Sequence, residues 1–265
     1  MNEIIDFHTH AFPDSIADRA MSALEQGAGV KAILDGRISS LLASMENSGI
    51  DKSVVCSIAT KPAQYAPIME WSMAVRSDRI IPLPSVHPAD PECDSKIRII
   101  KAEGFKGIKL HPYYQDFIID EDRLLRLYEA VCRENLLVVM HTGYDIAFPR
   151  IRRADPAGIA NVCAKFPELK LVTTHLGAWE QWPEVESALA GKPVYMEISF
   201  SLEYLDSDPV RDIFVKHPKD YILFGSDSPW TDQAKTLSAY RALGLGEDKD
   251  RAVLGGNTRR LLDSV

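Results

Sequence analysis

The 265-residue sequence lacks features that several large protein classes require. Its four cysteines are scattered without a CxxC pair, so neither a disulfide framework nor a cysteine-based metal or redox site is expected. Lysine and arginine together number 30, against 38 aspartates and glutamates, and the formal net charge is -8. Because no basic run interrupts this acidic balance, we expect no nucleic-acid partner and no binding to anionic membranes.

Long apolar runs and linker-like segments are also missing. The first residues have neither a basic start nor an unbroken apolar stretch, so we expect no secretory signal, no membrane span and a cytoplasmic location. No tract rich in proline, glycine or serine divides the chain, which favours a single domain over residues 1–265. With 46% hydrophobic residues, the chain can bury a large core.

Short apolar segments alternate with amphipathic ones along the whole chain. Eight of them are bounded by turn residues, as is typical of buried parallel strands: Ile4–His8, Lys52–Ile58, Ile80–His87, Phe105–His111, Leu136–His141, Leu169–His175, Val194–Ser199 and Tyr221–Ser226. Eight β-then-α units predict a (β/α)8 TIM barrel. A doubly wound open sheet is the alternative, although no GxGxxG motif follows the first strand.

Helical patterns lie between the predicted strands. The clearest examples are Asp35–Ser48, Asp120–Glu134 and Pro156–Lys165. Asp35 is a candidate N-cap of the first of these helices, with a glycine directly after its end. Asp155 is placed to cap the third.

Six of the seven histidines lie at or near the carboxyl end of a predicted strand: His8, His10, His87, His111, His141 and His175. Asp227 follows the eighth strand, whereas His217 precedes it. The carboxyl ends of barrel strands surround one mouth, so these imidazoles and the carboxylate should converge there, with His87 expected to be a structural histidine and not a ligand. Such ligands suit zinc, with manganese, iron and nickel as alternatives. The sequence therefore predicts a divalent metal ion at the barrel mouth.

The same strand ends carry motifs of a known family. In order, they are "DFHTH", "GFKGIKLHP", "VVMHTG", "VTTHLG", "LFGSDSPW" and the closing "GGNTRRLL". This series resembles the amidohydrolase superfamily, in the branch that includes metal-dependent hydrolases and aminocarboxymuconate-semialdehyde-type decarboxylases. The resemblance covers nearly the whole chain.

The resemblance implies a role for each residue of the predicted centre. His8, His10, His141 and Asp227 would hold the metal, and Asp227 would also deprotonate the attacking water. His175 would be an acid–base residue beside the ion, or a ligand of a second ion. One ion is favoured over two.

Residues next to these ligands leave alternatives open. Lys109 is expected to bind a substrate carboxylate, or to be carboxylated and to bridge two metals as in some members of the superfamily. His111 would bind substrate or a neighbouring side chain, and Trp230 would line the pocket or serve packing. Glu197 would orient a ligand imidazole or pair with a nearby loop. Arg150 would recognise a carboxylate or remain solvated.

The expected function is a metal-dependent hydrolase of a small carboxylated or cyclic metabolite. A non-oxidative decarboxylase on the same scaffold is the rival, and it should need a cationic clamp such as Lys109 or Arg150 near the metal. A non-catalytic metal- or ligand-binding barrel is the third hypothesis, which the intact series of ligands argues against. The expected partner is the small-molecule substrate, with a homodimer as a family-level expectation.

Overall fold

Eight parallel strands form the centre of the computed structural model, which describes residues 3–265. In chain order they are β1 (Ile5–Thr9), β2 (Lys52–Cys56), β3 (Ile80–Leu83), β4 (Gly107–Leu110), β5 (Leu137–Met140), β6 (Lys170–Thr173), β7 (Tyr195–Glu197) and β8 (Ile222–Leu223). Each strand pairs with its neighbours in sequence, in one group of three (β1 to β3) and one group of five (β4 to β8).

Hydrogen bonds at the strand ends join the two groups. Between β3 and β4, the backbone N–H of Lys109 donates to the Pro84 carbonyl over 2.9 Å. Between β8 and β1, the N–H of Phe7 donates to the Phe224 carbonyl over 2.8 Å, and that of Asp227 donates to the His8 carbonyl over 2.7 Å. The sheet is therefore closed on itself, which confirms the predicted (β/α)8 barrel.

Helices surround the barrel and cover its outer face. They are α1 (Asp14–Ala28), α2 (Ile38–Ser48), α3 (Tyr65–Val75), α4 (Cys93–Ala102), α5 (Asp122–Arg133), α6 (Pro156–Lys165), α7 (Trp182–Ala188), α8 (Asp208–Lys216), α9 (Gln233–Ala242), α10 (Glu247–Arg251) and α11 (Asn257–Asp263). None of those within residues 3–265 has the length and apolar character that crossing a membrane requires.

The helix caps agree with the sequence in two cases and differ in one. The Asp155 carboxylate accepts the Gly158 N–H over 2.8 Å at the start of α6, and Gly49 ends α2 with a left-handed φ of 69°. The predicted cap at Asp35 is wrong. Its carboxylate accepts the N–H of Arg37 over 3.0 Å, and α2 begins only at Ile38. The Asp35 side chain therefore forms a local turn with Arg37 and does not cap the helix.

Several predicted strands extend too far at their carboxyl ends. β4 stops at Leu110 and β5 at Met140, so His111 and His141 are the first residues of the loops that follow. His175 lies beyond the end of β6 and has a left-handed φ of 56°. Past the end of β6, the His175 N–H no longer pairs with a neighbouring strand, and a side chain accepts its hydrogen bond. The Glu197 carboxylate accepts the His175 N–H over 2.9 Å.

Two buried clusters divide the core. The inner cluster fills the barrel and includes Phe7, Val139 and Leu223. The outer cluster lies between strands and helices and includes Ile108 and Leu110. Because side chains alternate along a strand, Lys109 between these two points into the barrel. Because apolar side chains fill the rest of the barrel interior, its polar side chains lie at the carboxyl ends of the strands.

The close approach of β4 and β5 requires glycine at position 107. A Cβ there would lie 2.5 Å from Leu137 Cγ and closer still to the Leu137 carbonyl oxygen. We expect Gly107→Ala to lower the free energy of unfolding by about 1–3 kcal/mol, through overpacking. The control is Gly27→Ala in α1, where a Cβ meets nothing within 4 Å and should add about 0.5–1 kcal/mol. Urea denaturation measures both, and an unchanged midpoint for Gly107→Ala would contradict this packing.

Candidate metal centre

His8 and His10 project from the end of β1 into the barrel mouth. Their Nε2 atoms lie 3.1 Å apart. Asp227, just after β8, places its Oδ1 atom 3.5 Å from His8 Nε2 and 3.1 Å from His10 Nε2. The structure therefore brings three of the four predicted ligands to one point.

The hydrogen bonds at Nδ1 of His8 and His10 determine whether Nε2 can bind a metal ion. His8 Nδ1 lies 3.0 Å from the Glu197 carboxylate, and His10 Nδ1 lies 2.8 Å from the Cys56 carbonyl oxygen. Carboxylate and carbonyl oxygens only accept, so each imidazole in its neutral form carries its proton on Nδ1 and a lone pair on Nε2. This tautomer, fixed by a hydrogen bond on the far nitrogen, is typical of metal-ligating histidines.

Asp227 shows that these residues fit a cation. Its Oδ1 atom is buried and has no hydrogen-bond partner among residues 3–265, and the two nearby Nε2 atoms of the neutral rings have no proton to donate. Burial raises the pKa of Asp227, but positive charge on the neighbouring His8 and His10 outweighs it and holds the pKa below its ordinary value. When these imidazoles are neutral, a bound cation would have to supply that charge. An ionised carboxylate facing two lone pairs is costly unless a cation joins them.

Glu197 at the end of β7 is fully buried and joins three strands. Besides His8, it accepts the N–H of His175 over 2.9 Å, and the N–H and hydroxyl of Ser199 over 2.9 and 2.8 Å. A Cβ at Gly225 would overlap its carboxylate. Of the two sequence interpretations, the structure shows the one in which Glu197 orients an imidazole.

His141 and His175 form a second pair on the other side of the mouth. His175 Nδ1 lies 2.9 Å from the Ser199 hydroxyl oxygen, and His141 Nε2 lies 3.0 Å from the Tyr144 carbonyl oxygen. The remaining nitrogens, His175 Nε2 and His141 Nδ1, face each other at 3.3 Å. Two lone pairs at this distance repel, so a proton on one ring or a cation stabilises the pair.

His141 is thus not part of the group of three formed by His8, His10 and Asp227. The His175 ring stands between, 5.7 Å from the His8 ring and 5.0 Å from the His141 ring between centroids. Burial holds the pKa of His141 well below its usual value, so the ring is neutral and carries a lone pair that could bind a metal ion. Its role as a metal ligand stays a prediction.

Asp145 lies in the mouth, although the sequence did not indicate it. Its carboxylate lies 3.2 Å from His111 Nε2 and 3.7 Å from His141 Nε2, and the two imidazole rings stack at 4.2 Å. Burial raises the pKa of Asp145, but the hydrogen bond and charge of His111, together with the N–H of Ala147 and the charge of His175, lower it by more. In "GYDIAF" it looks like an ordinary loop acid, and only the fold places it beside His111.

Lys109 is fully buried at the centre, with Nζ 3.0 Å from His8 Nε2. Burial lowers the pKa of its amine. Arg150, the other proposed clamp, is exposed and pairs with Glu180. Of the two, Lys109 is the one that lies beside a candidate ligand and lines a cavity at the barrel mouth.

Above these residues lies a cavity of about 160 Å³. All three predicted substrate-binding residues, Lys109, His111 and Trp230, line it, as do both candidate catalytic residues. Much of its wall is apolar, and the side chains that form that wall include Phe12, Leu24, Ile58, Tyr114, Trp179 and Phe200. His87 and His217 do not line it. His217 instead hydrogen-bonds the Val194 carbonyl over 2.9 Å at the other end of the barrel.

A family model described as amidohydrolase matches residues 5–263. The chain belongs to the amidohydrolase family. The match spans β1 to α11 and includes every candidate ligand, so the resemblance found in the motifs is confirmed. Among curated proteins, none matches the chain.

Solved structures share the fold of this amidohydrolase. An uncharacterised TIM-barrel protein from Bordetella bronchiseptica aligns with a TM-score of 0.81 at 22% identity, over 99% of both chains. A 5-carboxyvanillate decarboxylase from Novosphingobium aromaticivorans, complexed with manganese, gives 0.74 at 15%, over 99% of this chain and 96% of its own. A probable 2-pyrone-4,6-dicarboxylic acid hydrolase from Acinetobacter baumannii gives 0.67 at 15%, over 99% and 100%. At these identities the likeness shows the fold.

The contacts of Glu197 predict that it supports metal binding without touching the ion. Glu197→Gln keeps the shape but replaces one carboxylate oxygen by an NH2 group, which cannot accept a hydrogen bond. Either the Ser199 N–H on Oε2 or the donors on Oε1, which include His8 Nδ1, then lose their acceptor. We expect metal affinity to fall by about 10–100-fold. Glu184→Gln makes the same change at the surface and should leave the affinity unchanged. Competition with a chelating dye measures both, and equal affinities for the two variants would refute this role.

Proposed function

We propose that this amidohydrolase is a metal-dependent hydrolase of a small carboxylated or cyclic metabolite. The observation that carries the proposal is the unpaired Asp227 Oδ1 atom between the lone pairs of His8 and His10. Membership of the amidohydrolase family supports an enzyme, and the cavity over these atoms supports a small-molecule substrate.

The proposed cofactor is one divalent ion, with His8, His10 and Asp227 as ligands and His141 as the fourth. Two imidazoles and a carboxylate favour zinc, and manganese, iron or nickel suit the same donors. When bound, such an ion lowers the pKa of water toward neutrality and polarises a carbonyl group.

The side chains of the mouth would divide the proton transfers between them. Asp227 holds its charge in the buried site and takes the proton of the attacking water. His175, held by Ser199 at Nδ1, would protonate the leaving group from Nε2 when both of its ring nitrogens carry a proton. Lys109 supplies a hydrogen-bond donor for an oxygen of the substrate once its contact with His8 Nε2 is released.

A decarboxylase is the second candidate, favoured by the position of Lys109. A buried amine beside the ligands is a clamp for a substrate carboxylate, and the Novosphingobium neighbour is a decarboxylase. Assays of the zinc- and manganese-loaded protein against esters, lactones and carboxylated aromatics test both candidates. Incorporation of oxygen from ¹⁸O-labelled water supports hydrolysis, and release of CO2 without such incorporation supports decarboxylation. A protein that retains no metal would refute both.

His175 and Asp227 should respond differently to substitution. His175→Ala removes an acid–base group and should keep the metal while kcat falls by about 10²–10⁴-fold. Asp227→Asn removes a ligand charge as well as the base, so both metal content and kcat should fall. Metal stoichiometry and steady-state kinetics on both variants measure this. If His175→Ala loses metal as fully as His8→Ala, then His175 is a ligand, and the lone pairs of His175 and His141 share a cation.

Substitution of Lys109 distinguishes a centre with one metal ion from a centre with two. As a substrate clamp, its removal in Lys109→Ala should raise KM for anionic substrates and leave the metal content unchanged. As a carboxylated bridge, its removal should cost one metal equivalent, and reconstitution of the parent should depend on bicarbonate. We expect the first result, and metal analysis with kinetics on the same samples distinguishes them.

A further inference from the structure

Two hollows lie side by side at the barrel mouth. The first is the cavity over the candidate metal centre, of about 160 Å³. The second is a groove of about 370 Å³ between the loops that follow β7 and β8, lined by residues such as Leu202, Asp232 and Lys235. Phe200 and Trp230 line both hollows. These two aromatic side chains therefore stand between the cavity and the groove.

The backbone holds Phe200 in an unusual conformation. Its φ of 54° lies in the left-handed region, which costs energy for a bulky residue. The preceding residue, Ser199, is held by the Glu197 carboxylate, and the Phe200 ring packs 5.8 Å from the His175 ring between centroids. Such strain persists only where surrounding contacts enforce it, and here it places an aromatic ring at the border of the cavity.

We propose that Phe200 and Trp230 form a wall that closes the cavity toward the groove and limits the ligand to one ring. An apolar cavity of about 150 Å³ accepts a benzene-sized molecule. A single ring with one carboxylate matches this volume, the apolar lining and the Lys109 amine. We therefore expect a second ring to enter only when the wall opens. The inference rests on the proposed function in taking this cavity as the substrate site.

The test compares ligands that differ by one ring. Benzoate and the 3- and 4-isomers of biphenylcarboxylate are titrated into the zinc-loaded protein by calorimetry. The parent should bind benzoate at least about tenfold more tightly than either biphenyl. Equal or tighter binding of a biphenyl by the parent would overturn the wall.

Variants then open the wall. Phe200→Gly removes the ring and allows the left-handed backbone, and it should improve biphenyl binding relative to benzoate by about tenfold or more. Trp230→Ala opens the same wall from the other loop and should shift the ratio in the same direction. Tyr114→Ala is the matched control, because Tyr114 lines the cavity without bordering the groove. A shift as large for Tyr114→Ala, or none for both wall variants, would overturn the proposal.

The outcome is separable from that of the proposed function. The ratio of the biphenylcarboxylate and benzoate affinities tests the wall, whereas turnover and metal content test the proposed hydrolase. A shifted ratio in a protein that turns over no substrate supports the wall and counts against the hydrolase. A constant ratio across both wall variants of an active enzyme overturns the wall alone.

Discussion

One buried carboxylate organises the mouth of this barrel. Glu197 is fully buried at the end of β7, and it binds His8 of β1 and the residues that follow β6 and β7. Each of its contacts fixes a different part of the site: the tautomer of His8, the left-handed backbone of His175 and the position of Ser199. Because a buried charge must be satisfied on all sides, none of these neighbours can move independently.

The electrostatics of the centre follow from this arrangement. Burial lowers the pKa of His8, His111 and His141 and so favours their neutral forms, whereas the pKa of Asp227, beside His8 and His10, lies below its ordinary value. Neutral imidazoles and an ionised carboxylate make a donor set that a divalent cation completes. These donors lie on the strands or shortly after their carboxyl ends, whereas the loops supply Phe200, Trp230 and Asp145 around the cavity. Binding and specificity can therefore change in the loops while the donors stay fixed on the barrel.

Much of the fold was predictable from the sequence, because buried parallel strands are short, apolar and repeated. All eight strands exist where the apolar runs are, and Asp155 caps α6 as its position indicates. The errors fall at element boundaries. Asp35 satisfies a nearby N–H in place of the helix end, and His111, His141 and His175 lie beyond their strands. Boundaries depend on local competition for hydrogen bonds, which an apolar pattern does not encode.

The sequence by itself determined the barrel, the family and the chemical types gathered at one mouth, since motif order and strand-end position are properties of the chain. Tertiary structure decided how those groups meet. It placed His8, His10 and Asp227 together while setting His141 against His175, and it turned Arg150 away to Glu180. It also recruited Asp145 and placed Phe200 against the cavity. Distances between loops far apart in sequence depend on packing and closure of the barrel, so only the folded chain contains them.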